Sequence, residues 1–345
     1  MDFATADYAS CRHAFRQLAD RYGAHQEAWP IDEAADLTID AAVWGPENAR
    51  HTMIISSGLH GAEGPFGSHI QQRWMQTALE QRPQTTRLIL LHALNPFGFA
   101  HRRRFDQDNL DLNRAFFDAP QRPDTAELYG RLDPLLNPPG PPRRDGFLLR
   151  ALAVVARHGL RKLGQAIVAG QYTHPRGLFY GGQQKSALQE VLETRLLPRL
   201  QSSAATDHFD LHTGLGKFCQ LRLLMLPGVA SEAVHAAVKL YGDQVMPPQT
   251  DVGYQARGTL GGWLQQRLGA SDGRYRYYCV EVGTYSVLKV LSALRDENRA
   301  WFACGSGAPA HERAAEALIE RFQPADARWQ TQATEQVMAV LNACK

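Results

Sequence analysis

Four polar residues able to hold or serve a metal ion stand at the ends of β-prone apolar runs: His60 and Glu63 in SSGLHGAEGPFG, His212 in DLHTGLG, and Glu281 in YYCVEVGTY. A catalytic zinc ion takes three nitrogen or oxygen ligands from the protein and keeps a fourth position for water. His60, Glu63 and His212 offer such a set for one Zn2+ ion. An HxxE pair alone would suit a polar strand-to-helix turn equally well, with His60 merely hydrogen-bonded. Its setting raises the metal reading. HTMIISSGLHG is an apolar run that breaks into Gly58, Gly61 and Gly64, and glycine lets a backbone turn tightly around ligands.

TDHFDLHTGLG makes the same transition from strand to glycine turn, and alternation with period two puts Asp210 and His212 on one face. An aspartate there can orient a ligand histidine. His208 reads only as a strand-end histidine capped by solvent. Glu281 lies within RYRYYCVEVGTYS, where a buried carboxylate would be costly without a partner or a task. Beside zinc it would act as general base; on an edge strand it would simply face water. The segment LILLHALNPFGFAHRRRFDQDNLDLNRAF adds Arg102, Arg103, Arg104 and Arg114. Their guanidinium groups can grip a carboxylate or polarise a carbonyl, or else form a solvated loop paired with Asp106, Asp108 and Asp111. The set points to a hydrolase.

The order HxxE, DLNR, DLHTG and VEVGTY resembles the zinc carboxypeptidase superfamily, which includes the succinylglutamate desuccinylase and aspartoacylase branch. The whole chain is most similar to a bacterial branch known only as a domain of unknown function. That likeness begins at DYASCRHAFRQLADRYGA, includes GQYTHPRGLFYGG and thins after about Arg295. The resemblance implies that His60, Glu63 and His212 are zinc ligands and that Glu281 activates water. It further implies that Arg104 or Arg103 polarises the scissile carbonyl, that Asn113 and Arg114 hold a substrate carboxylate, and that Tyr254 is the counterpart of a mobile tyrosine.

Forty-four per cent hydrophobic residues in 345 positions suffice for a large core. The catalytic segments run from residue 60 to 281, so one continuous α/β domain over 1–345 is the simplest reading. The runs LTIDAAVW, TMIISS, RLILLHAL, HFDLHT, LRLLML and YYCVEV alternate with helical segments such as Pro65 to Leu79. They predict a mixed, mostly parallel central sheet with helices on both faces, its ligands gathered at strand C-termini.

A net charge of +2 gives no reason to expect nucleic acid or an anionic membrane as partner. No apolar stretch is long enough for a transmembrane helix. The first residues lack a signal-peptide pattern and read as an amphipathic helix with Tyr8, Cys11, Phe15, Leu18 and Tyr22 near one face. Five scattered cysteines without a CxxC pair fit a reducing cytoplasm, and Cys279 reads as an inert thiol.

Residues 120–182 form a Pro/Arg-rich insertion, opening with LNPPGPPRRDG and continuing as the basic helical pattern FLLRALAVVARHGLRKLGQAI. It is either a lid or subunit contact, or a helix with its basic face in water. Three functions compete. The first is a carboxypeptidase-like zinc amide hydrolase acting on a small peptide or peptide-like substrate with a free carboxylate. The second is a zinc deacylase of N-acyl amino acids, and the third a non-catalytic binding protein on the same fold. Homo-oligomerisation is left open.

Overall fold

The apolar runs become the inner strands of one eight-stranded sheet in a computed structural model of the chain, which describes residues 6–81, 84–118, 122–248, 256–269 and 272–344. The strands are β1 His25–Asp32, β2 Leu37–Trp44, β3 His51–Ser57, β4 Thr86–His92, β5 Ala205–Gly214, β6 Leu221–Met225, β7 Val245–Met246 and β8 Tyr275–Gly283. Their order is β1-β2-β4-β3-β5-β8-β6-β7. The central four, β4, β3, β5 and β8, are parallel to one another, while β2 pairs antiparallel with both β1 and β4 and β6 runs antiparallel to β8. The sheet is mixed and mostly parallel, as the pattern of runs predicts.

Helices cover both faces. On one, Phe15, Ile70, Trp74, Ala237 and Val337 from helices Tyr8–Arg21, Gly64–Thr77, Ser231–Tyr241 and Ala327–Ala343 pack on Ile55, Leu90, Phe209 and Val280. On the other, Leu188, Leu192, Leu196, Trp263 and Leu264 pack on Ile54, Ile89 and Tyr277. A third cluster joins the insertion to helices Val287–Cys304 and Pro309–Phe322 through Leu132, Leu163, Ile167, Leu294 and Phe322. No helix among the described residues is long and apolar enough to cross a membrane.

Two strands escape a reading by hydrophobic pattern. β1 carries Glu27 and Pro30 and lies at the sheet edge, where charge and proline are tolerated and the apolar signal is weak. β7 has only two residues. β2, despite its polar alternation, is buried along its whole length. The reason is a charged cover: Arg12 Nε and Arg16 Nη1 of the first helix donate to the Asp40 carboxylate at 2.9 and 2.8 Å.

Because β3, β4, β5 and β8 run the same way, their C-terminal ends emerge on one edge of the sheet. Close backbone packing fixes the turn after β3. A Cβ on Gly61 would lie 2.0 Å from the Gly98 carbonyl carbon, so only glycine lets this turn meet the helix Pro96–Ala100 that follows β4.

Candidate metal centre

His60 follows β3 and begins a single 3-10 turn, Gly61–Glu63, which brings Glu63 back beneath it. His212 comes from the last residues of β5. All three side chains are buried, and one donor atom from each lies within 4.8 Å of the others, so the group could hold a metal ion. Both histidines present Nδ1 to one carboxylate: His60 Nδ1 is 2.8 Å from Glu63 Oε1, and His212 Nδ1 is 3.0 Å from Glu63 Oε2. Two buried imidazole nitrogens and a carboxylate are a borderline-soft donor set that fits a zinc-type divalent cation.

The outward nitrogens are fixed from behind. His60 Nε2 lies 3.3 Å from Asp111 Oδ1 and 2.8 Å from Arg104 Nη2, while His212 Nε2 lies 2.8 Å from Asp210 Oδ2. Asp210 in turn accepts from Ser56 Oγ at 2.6 Å and Tyr277 OH at 2.7 Å. Such partners set ring orientation and leave Nδ1 to face the ligand position. His208 departs from the solvent-capped role expected of it. It is buried, 2.7 Å from Ser56 Oγ and 2.6 Å from Tyr275 OH, because neighbouring strands on both sides enclose β5.

Glu281 sits on β8 directly opposite His212 in the register. β8 is an inner strand, so the carboxylate faces no open edge. Its Oε1 accepts from the Leu215 N–H at 2.7 Å. Burial foremost, and then repulsion from Glu63, push its carboxyl up to about 7, where a group can take and release protons near neutrality. Cys279, two residues earlier, lines the same cavity; burial raises its thiol far above the usual range, so it is a weak nucleophile.

The three consecutive arginines go to three places. Arg102 pairs with Glu312. Arg103 must be corrected as a candidate beside the metal: it does not line the cavity, but is wholly buried against Glu297 at 2.7 Å, with its guanidinium 4.1 Å from the centre of the Trp301 ring. Arg104 lines the cavity, with Nε 3.0 Å from Asp111 Oδ2 and Nη1 3.7 Å from Glu63 Oε1. Asp111 is held ionised against its burial, chiefly by Arg104. Reading it only as a loop counter-charge missed this bridge from Arg104 to His60, although it opens the DLNR segment.

Asn113 and Arg114 also line the cavity. Arg114 is fixed by donating from Nε to the Val168 carbonyl at 2.8 Å and from Nη1 to the Asn113 carbonyl at 2.6 Å. It makes no salt bridge among the described residues. Tyr254 lies outside the described residues.

A second group, His51, Asp207 and Cys344, gathers near the opposite end of the sheet. There Arg276 grips Asp207 with Nε at 2.6 Å and Nη2 at 2.5 Å, a structural ion pair that occupies the carboxylate.

Comparison with known proteins places this geometry in a family. Residues 3–336 match the family described as "Protein of unknown function (DUF2817)", and the chain belongs to it. No curated protein matches. Among solved structures, the fold is similar to that of thrombin activatable fibrinolysis inhibitor, with a TM-score of 0.51 and 11% identity over 91% of this chain and 74% of that one. Carboxypeptidase A from Helicoverpa armigera gives 0.49 and 14%, over 92% and 75%. The succinylglutamate desuccinylase from Chromobacterium violaceum gives 0.41 and 15%, over 86% and 75%.

Proposed function

We propose that this protein is a zinc-dependent amide hydrolase of the carboxypeptidase type, acting on a small peptide or peptide-like substrate with a free carboxylate. The observation that carries it is the convergence of His60, Glu63 and His212 beside Glu281, the cross-strand neighbour of His212. Zinc held by the three ligands supplies Lewis acidity toward the scissile carbonyl and acidifies water. Glu281 takes the proton of the attacking water and delivers it to the leaving nitrogen. Arg104, oriented by Asp111, donates to the carbonyl oxygen as negative charge develops there. Arg114, anchored by two carbonyls, orients the substrate carboxylate with Asn113 and takes no part in bond breaking.

Removal of an acyl group from an N-acyl amino acid uses the same parts, and DLHTG favours that second reading. Metal analysis of the purified protein, followed by hydrolysis of a mixed library of peptides and N-acyl amino acids, tests both. One zinc per chain and release of a free amino acid are expected. A protein that takes up no metal under any loading condition ends the proposal.

A further inference from the structure

We infer that the helix Phe147–His158, inside the insertion, docks the protein on the surface of an anionic lipid bilayer, lying in the headgroup layer without crossing it. The inference stands apart from the hydrolase reading, since no residue of this helix lines the metal-centre cavity.

The helix is inverted relative to an ordinary surface helix. Its inner side is conventional: Phe147 and Ala151 are buried, Phe147 lies 4.7 Å beneath the Arg295 guanidinium carbon, and Val154 and Val155 pack on the cluster that holds Leu132 and Leu294. A repeat of about 3.6 residues then sets Leu149, Leu152, Ala153 and Ala156 on the opposite side, where charged residues usually stand. All four are exposed. Arg150 and Arg157 fall on one flank of this apolar crest rather than at its top. Leu149 is 75% exposed, Leu152 53% and Leu148 47%, and Leu160, which opens the next helix, Leu160–Ile167, is 66% exposed. These are four of the ten large apolar side chains exposed among the described residues, and they fall within thirteen positions. Soluble surfaces scatter such side chains singly; a concentration of them marks an interaction face.

Charge selects what covers the crest. Between residues 143 and 163 stand Arg143, Arg144, Arg150, Arg157, Arg161 and Lys162, against Asp145 as the one acid. Asp145 is turned inward, held by Arg295 and 3.3 Å from Arg299 Nη1, and Asp296 of the adjoining helix Val287–Cys304 lies 3.5 Å from Arg295 Nη1. Arg143, Arg144, Arg157 and Lys162 are exposed and make no salt bridge among the described residues. The net charge of +2 for the whole chain conceals this local excess. A second copy of the chain would set the same cations against one another, with no free carboxylate of the segment to meet them. An anionic bilayer answers both features at once: hydrocarbon receives the leucines and phosphodiester groups receive the guanidinium groups. It also requires no groove shaped to fit the helix.

Co-sedimentation of the purified protein with lipid vesicles tests this. Binding to vesicles of equal parts phosphatidylglycerol and phosphatidylcholine is expected to be at least about tenfold stronger than to phosphatidylcholine alone, and to weaken in about 0.5 M salt. Leu149→Gln combined with Leu152→Gln should lower that partition by at least about tenfold. Arg143→Gln combined with Arg144→Gln should lower it by a similar factor. Both double variants alter exposed positions and should keep the thermal unfolding midpoint of the unmodified chain. Sedimentation velocity without lipid reports on a second copy. Absence of vesicle binding overturns the inference and returns the crest to an acidic protein partner; binding that survives both double variants overturns it as well. So does a lipid-free dimer that the leucine variant dissociates, because a second copy then covers the crest.

Discussion

Arg103 and Arg104 are chemically identical neighbours, and their surroundings alone give them different work. Arg104 stands in the cavity beside His60, whereas Arg103 spans a dry contact between Glu297 and Trp301. Arg104→Met should therefore lower kcat by roughly 10²- to 10³-fold, as expected for a lost oxyanion donor, with zinc content retained. Arg103→Met should instead leave the buried Glu297 with only His311, 3.3 Å away, and lower unfolding free energy by about 3 kcal/mol, with kcat of the folded fraction little changed. Denaturant unfolding alongside active-site titration separates the two. Glu281→Gln has a third signature. It should keep one zinc per chain and lose at least about a hundredfold in kcat, because an amide cannot accept the water proton. Near-normal turnover in that variant would take Glu281 out of the base role.

At the scale of elements, the centre depends on how closely the turn after β3 meets the helix after β4. Gly61→Ala forces the two backbones apart by the width of a methyl group, and His60 and Glu63 move with the turn. The expected result is weaker zinc binding in a competition titration, together with reduced thermal stability; unchanged affinity would show that the turn can relax without disturbing its ligands. The strands that carry the ligands were legible because β3 has an apolar core and β5 a short alternating one, and both end abruptly in glycine or polar residues, as SSGLHG and HTGLG do. Edge strand β1 was not, since in HQEAWPID only Trp29 and Ile31 call for burial and they stand among polar and charged residues beside a proline. Proximity was illegible in a different way. That His212 and Glu281 are register partners, or that Arg103 meets Glu297, follows from strand order and helix packing, which no local spacing encodes. The alternation of Asp210 and His212 did carry through to a 2.8 Å contact, because both residues lie on one strand and share its geometry.

The stability of the whole molecule depends on pH through its buried titratable groups, and two of them, His92 and Asp207, lose their contributions in separate pH windows. His92, at the end of β4, is wholly enclosed, stacked on Phe15 at 4.8 Å and 2.9 Å from Ser68 Oγ. Burial, with a smaller contribution from the Arg12 charge, lowers its pKa to about 3. The unfolded chain binds that proton near the ordinary value of about 6.5, so the contribution of His92 is complete above that pH and drains away as pH falls toward 3. Over the full window this amounts to roughly 5 kcal/mol, at a slope approaching about 1.4 kcal/mol per pH unit. Asp207 behaves differently. Despite its burial, His51 and Arg276 hold its pKa below the usual carboxylate value, so its stabilisation persists to about pH 4 and is lost only as pH falls further. Glu281 and Asp106, whose carboxyls burial raises to about 7, act in the opposite sense as pH falls from 7 toward 4, so the contribution of His92 is read as the difference between the unmodified metal-free chain and a variant at that position. His92→Gln, which keeps a donor for Ser68 but cannot titrate, should be less stable at pH 8, by a margin that shrinks between about pH 6.5 and 4. A margin that stays constant across that window would locate the acid response elsewhere in the fold.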